Sequence, residues 1–177
     1  MNTRVLVAYG TKHGATKEIA EKVGQALRES GFQVDVVPAD GAGDLGGYGS
    51  VVIGSAVYMG QWRKDAKRLL QDNKTLLAQM PVWLFSSGPT AEGDPVELLE
   101  GWRYPKSLEQ TVESIKPRGI AVFGGFNNPE KMTGFDRWVI KRVKASIGDF
   151  RDWEAISAWA GEIASSLRED AKMTGSL

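Results

Sequence analysis

The segment Gly10-Thr11-Lys12-His13-Gly14-Ala15-Thr16 places small residues, two hydroxyls and two glycines at the start of a helix-like pattern. A helix that starts there offers unpaired backbone N–H groups and the positive end of its dipole. Thr11 and Thr16 add hydroxyl donors, Gly14 permits close backbone approach, and Lys12 and His13 add positive charge or further donors. The natural guest is a phosphate. The same residues also read as a tight turn with a threonine cap and no ligand. A second segment, Ser55-Ala56-Val57-Tyr58-Met59-Gly60, is small and apolar and leads into Gln61 and Trp62. A flat aromatic ligand needs apolar faces and a few backbone hydrogen bonds, and Tyr58 and Met59 are open candidates for the faces. Trp62 reads as a core residue of the next helix. A third segment, Ser86-Ser87-Gly88-Pro89-Thr90, offers backbone and hydroxyl groups.

Other phosphate motifs do not fit. A Walker A loop counted from Gly10 meets Ala15 and Thr16 where it requires Gly and Lys, so a nucleoside triphosphate is not expected. The literal G-x-G-x-x-G at Gly41–Gly46 runs through Gly47-Tyr48-Gly49 into a strand-like run, whereas the dinucleotide fingerprint opens a helix. The chain has no cysteine and a single histidine, His13, which excludes thiol catalysis, Fe–S ligation and multi-histidine metal sites. Redox chemistry would therefore belong to a bound cofactor.

The elements that position these loops alternate. Val5–Tyr9, Val51–Ile53, Val82–Phe85 and Ile120–Phe123 are short continuous apolar runs, as expected of strands buried on both faces. Phe32, Val34 and Val36 alternate with polar residues, which suits an edge strand. Between the strands, Ala15–Ser30, Trp62–Asp72 and Lys106–Ser114 read as helices, and Ser86–Pro105 as a long irregular segment. Phe135–Ile147 and a stripe from Trp153 to Leu167 follow as helices. This alternation predicts an open parallel sheet with helices on both faces, binding ligands beyond the carboxyl ends of its strands. All three loops follow a strand.

A single domain over residues 1–170 with a frayed tail at 171–177 is expected. The 22 basic and 22 acidic side chains give no net charge, which argues against nucleic-acid binding carried by bulk charge. No signal-peptide core or membrane span is evident, so a cytoplasmic chain is expected. The basic residues Arg137, Lys141, Arg142 and Lys144 beside Trp138, Val139 and Val143 raise peripheral contact with an anionic membrane. A sheet-covering helix with a solvated basic face is the favoured reading.

Ala8-Tyr9-Gly10 followed by Thr11-x-x-Gly14-x-Thr16 resembles the flavodoxin phosphate loop, and Gly54–Gly60 resembles the flavodoxin loop that covers one flavin face. The resemblance implies a flavodoxin-like three-layer α/β sandwich, with a five-stranded parallel sheet in the order 2-1-3-4-5. Val51–Ser55, Gly134–Lys141 and Asp152-Trp153-Glu154 are similar to the menaquinone-dependent protoporphyrinogen IX dehydrogenase branch. On that resemblance, Thr11, Lys12, His13, Gly14, Ala15 and Thr16 would hold the phosphate of FMN. Ser55, Ala56, Val57, Tyr58, Met59 and Gly60, with Ser86, Ser87, Gly88, Pro89 and Thr90, would meet its ring. His13 stands where flavodoxins usually carry Thr or Ser, and Ala15 where they often carry Asn. The implied function is an FMN-dependent oxidoreductase with a quinone or porphyrin-type substrate. A non-enzymatic electron carrier docking a redox partner protein, and a binding module without flavin, remain the alternatives.

Overall fold

The computed structural model describes residues 4–127, 130, 133–142 and 146–175. Strand β1 (Arg4–Gly10) is buried at every position after Arg4. It pairs in parallel with β2 (Gln33–Pro38) on one side and β3 (Ser50–Tyr58) on the other. Beyond β3, a two-residue strand β4 (Gln61–Trp62) runs antiparallel to it. β5 (Val82–Ser87) pairs with β3, and β6 (Gly119–Phe123) pairs with β5, both in parallel. The path β2-β1-β3-β5-β6 is the expected 2-1-3-4-5 order of parallel strands, with β4 as an unexpected sixth member. The alternating strand is the sheet edge, because a strand with one open side needs apolar residues on alternate positions only.

Side chains of successive strand residues point to opposite faces, so each apolar run feeds two cores. On one face Val5, Val7, Val52 and Phe85 pack with Ile19, Val23 and Leu27 of α1 (Ala15–Glu29), and with Ile156 and Ile163 of α7 (Trp153–Thr174). On the other face Leu6, Val51, Ile53 and Leu84 meet Ala66 and Leu70 of α2 (Lys64–Asp72) and Leu77 of α3 (Lys74–Leu77). Val112 of α5 (Glu109–Ile115) completes this second core. Gly54 is required in β3, since a Cβ there would overlap the Phe85 ring. That ring lies 5.8 Å from Phe123 and 6.0 Å from Trp159, tying β5, β6 and α7 together.

Several boundaries differ from the sequence expectation. Trp62 belongs to β4, because Met59 and Gly60 both take positive φ (51° and 71°) and form a two-residue hairpin turn; α2 then begins at Lys64. The long segment after β5 contains a short helix α4 (Pro95–Leu98), whose opening N–H groups at Val96 and Glu97 donate to the Asp94 carboxylate. The predicted Lys106–Ser114 helix splits into a 3-10 turn (Lys106–Leu108) and α5. The predicted Phe135–Ile147 helix is α6 (Gly134–Arg142), followed by β8 (Gly148–Asp149), which pairs antiparallel with β7 (Phe126–Asn127). Val143 and Lys144 lie outside the described residues, as do Ser176 and Leu177 in the predicted tail; α7 itself runs to Thr174.

Helix α6 buries a charged side chain. Among its described side chains only Asp136 is buried, while Phe135 and Trp138 are 60% and 58% exposed and stack with centroids 5.8 Å apart. The Asp136 carboxylate points inward, because it finds cationic and hydroxyl partners in the first and third strand loops, while Phe135 and Trp138 point outward.

Candidate functional site

The loops after β1, β3, β5 and β6 meet in a solvent-open cleft of about 200 Å³. At one end lies the start of α1. Gly14 takes the left-handed conformation (φ 95°) that begins the helix, and its N–H donates to Thr11 Oγ1 at 3.0 Å. The first intrahelical bond nearby runs from Glu18 N–H to Gly14 C=O, so the N–H groups of Ala15, Thr16 and Lys17 have no intrahelical acceptor. Thr11, Lys12, His13, Ala15 and Thr16 all line the cleft. Three unpaired helix N–H groups beside two hydroxyls and a lysine form a donor set suited to a phosphate.

The rest of the wall is largely apolar. Ala56, Val57, Tyr58 and Met59 contribute from β3 and its turn, and Ser87, Gly88 and Thr90 from the end of β5. Gly88 lets the chain pass close to this wall, since a Cβ there would stand 3.1 Å from Val57 Cβ. Pro89 acts through its carbonyl, which accepts from Gly125 N–H at 2.8 Å and sets the β5 loop against the β6 loop.

Two expected hydroxyls are turned inward. Ser55 is fully buried; its Oγ accepts from Arg63 N–H at 2.8 Å and donates to Ala56 C=O at 2.9 Å, fastening α2 to β3. Ser86 is also fully buried, accepting from Trp62 Nε1 at 2.9 Å and donating to Arg103 C=O at 2.7 Å. Gly60 serves the hairpin turn, and Gly14 shapes the loop from behind. These four positions, with Pro89, support the cleft and are not part of its lining.

The structure adds Gly125, Phe126, Asn127 and Asp136 to the lining. The Gly124-Gly125 pair closes a parallel strand, the same signal that marked the other three loops. Asn127 Nδ2 donates to Thr90 Oγ1 at 2.8 Å and to Ser146 C=O at 2.9 Å, joining the β5 loop to the segment before β8. Behind Phe126, the Arg151 guanidinium lies 4.9 Å from that ring and 4.5 Å from the Trp153 ring, with Nη1 2.7 Å from Glu18 of α1. Arg151 thus braces the aromatic wall against the helix whose start forms the other end of the cleft.

Asp136 reaches the α1 end of the cleft from α6. Its carboxylate pairs with Lys12 and accepts from Tyr58 OH at 3.2 Å, while the Thr133 N–H and hydroxyl donate to Oδ2 at 3.1 and 2.8 Å. His13 Nε2 lies 3.5 Å from the same Oδ2. The Lys12 ammonium also sits 3.7 Å from the Tyr58 ring centroid. Lys12 holds the Asp136 carboxyl well below the usual carboxylate range, and Thr133 adds to this against the opposing effect of burial. Burial pulls Lys12 down, but Asp136 and Tyr58 outweigh it and raise its pKa. Both groups are therefore charged at neutral pH. No cluster of metal-ligating side chains, and no helix long and apolar enough to cross a membrane, occurs among the described residues.

The flavodoxin domain model matches residues 6–153. Protoporphyrinogen IX dehydrogenase (quinone) from Escherichia coli K12 is 26% identical over 172 residues, covering 91% of this chain and 94% of that protein. Among solved structures, a flavodoxin from the domain Archaea superposes with a TM-score of 0.61 at 14% identity, covering 93% of this chain and 99% of the other. Rubredoxin oxygen:oxidoreductase from Desulfovibrio gigas gives a TM-score of 0.64 at 16% identity, covering 94% of this chain and 36% of that longer one. A parallel sheet in this strand order, with loops gathered at the carboxyl ends of its strands, is the flavodoxin arrangement. This chain belongs to the flavodoxin-domain family.

Proposed function

We propose that this chain binds FMN in the cleft and acts as a quinone-linked oxidoreductase of the protoporphyrinogen IX dehydrogenase type. One observation carries the reading: a phosphate-suited helix start and a largely apolar wall lie in one cleft, as a phosphorylated flat ring requires. The N–H groups of Ala15, Thr16 and Lys17, with the Thr11 and Thr16 hydroxyls, would hold the phosphate. Val57, Tyr58, Met59 and Phe126 would flank the ring, with Ser87, Gly88 and Thr90 of the β5 loop along its edge. Bound FMN would supply hydride or single-electron acceptance, which no side chain of this chain can perform. The protein's contribution would be to fix the ring between the β3 and β6 loops. The E. coli relative's name supplies the quinone and porphyrin as substrate classes for this proposal.

The zero net charge favours an enzyme over a carrier, since a carrier gains from a strongly charged surface complementary to its partners. The test is direct. Purified protein reconstituted with FMN should show flavin absorbance and release FMN, identified by mass, on denaturation. It should then oxidise protoporphyrinogen with a soluble quinone as acceptor. Flavin binding without turnover would assign the carrier role; a protein that takes up no flavin would end both readings.

A further inference from the structure

Asp136 is an anion placed at the anion-binding end of the cleft. It is 2% exposed and comes from α6, far along the chain from the loop it engages. Its carboxylate draws on cationic and hydroxyl groups that face the cleft: the Lys12 ammonium, the Tyr58 hydroxyl and, at 3.5 Å, His13 Nε2. The same Lys12 is held over the Tyr58 ring, so its position is fixed from two sides. Lys12, His13 and Asp136 all line the one cleft. A phosphate arriving there meets a lysine ammonium already ion-paired and a fixed negative charge beside it, while the helix N–H groups stay available.

We infer that Asp136 sets how strongly this site discriminates a phosphorylated flavin from an unphosphorylated one, by competing with the ligand's phosphate for Lys12. The inference rests on the FMN reading above. Electrostatics fix the direction. Deleting the carboxylate removes a repulsive charge and releases the ammonium, so FMN gains while riboflavin, which lacks the phosphate, does not. Because both ligands share the ring pocket, the ratio of their affinities cancels any general change in the fold.

The experiment measures FMN and riboflavin dissociation constants by fluorescence quenching, for the full chain and for Asp136→Asn, Asp136→Ser and Asp136→Glu. The neutral variants should raise the preference for FMN over riboflavin about tenfold, as a unit charge a few ångströms away across a partly buried rim would. Asp136→Glu, which keeps the charge, should stay within about threefold of the parent. Lys12→Met should lower the preference, and Lys12→Met combined with Asp136→Asn should return it toward the parent value. The serine variant carries the test if the asparagine variant does not fold. An unchanged or reduced preference in the neutral variants would overturn the inference while leaving the FMN reading intact. Failure of the parent chain to bind either flavin would overturn the FMN reading itself, and the inference with it.

Discussion

Lys12, Tyr58 and Thr133 all donate to one carboxylate, Asp136, and that convergence has a consequence for pH. The folded pKa of Asp136 lies below its unfolded value near 4, so the contact adds stability that is complete above about pH 4 to 5. The stability is lost as the pH falls below about 4 toward the folded value. Urea midpoints of the parent and Asp136→Asn should therefore differ most near pH 6, with the gap closing steadily below pH 4; a gap constant down to pH 3 would contradict the assignment. At the helix start, Gly14→Val forces a β-branched residue into a left-handed conformation, and Thr16→Ala removes a hydroxyl donor. The double variant should weaken FMN binding by roughly 10- to 100-fold in a fluorescence titration, because hydrogen bonds to charged groups contribute about 1.5–3 kcal/mol each. Thr11, Gly14 and Thr16 were legible from the chain alone because hydroxyls, a glycine and a helix start fall within seven consecutive residues. The pairing of Asp136 with Lys12 and Tyr58 was not, since those two sit 124 and 78 positions away and no local pattern marks a charge that a distant loop will bury.

Buried strands announced themselves through continuous apolar runs, and the edge strand through alternation, because the number of covered faces is written directly into the side-chain pattern. Two-residue strands carry no such pattern. β4 depends on a turn whose first residue is Met59, not the Asn or Gly that usually marks a hairpin, and β7–β8 joins segments more than twenty residues apart. Met59 takes φ 51° and is 72% exposed, so its conformation costs stability without a compensating burial. Replacing it with Asn should stabilise the ligand-free protein by about 1 kcal/mol, read as a higher urea midpoint. Helix α6 offers the complementary case. A sheet-covering helix would lose about 3–5 kcal/mol on truncation of a buried Phe or Trp. With Phe135 and Trp138 facing solvent, Phe135→Ala and Trp138→Ala should each shift stability by no more than about 0.5 kcal/mol. A larger loss would mean that their aromatic faces are covered in solution.

Both hydrophobic cores share one sheet, and the cleft lies at the edge where loops from four of its strands meet. The helix start at one end belongs to α1, which packs on one face, while Tyr58 and Met59 extend from β3 in the middle of the sheet. Arg151 links α1 to the Phe126 wall through Glu18, so the two ends of the cleft are fixed relative to each other through the body of the domain. A ligand that touches both ends binds the assembled sheet and not the unfolded chain, and its binding energy adds directly to the stability of the whole. At a free FMN concentration 100 times the dissociation constant, the gain is about 2.7 kcal/mol. For a chain of this length that corresponds to a rise in melting temperature of roughly 5–10 °C. Riboflavin at the same multiple of its own dissociation constant should give the same rise, while at equal concentration the two flavins should separate by their affinities. Arg151→Met should preserve cooperative unfolding, because both cores remain, but reduce the FMN-induced rise at fixed FMN by loosening the Phe126 wall. Equal FMN-induced shifts in the parent and Arg151→Met would show that the wall is held by the β7–β8 pairing without the guanidinium.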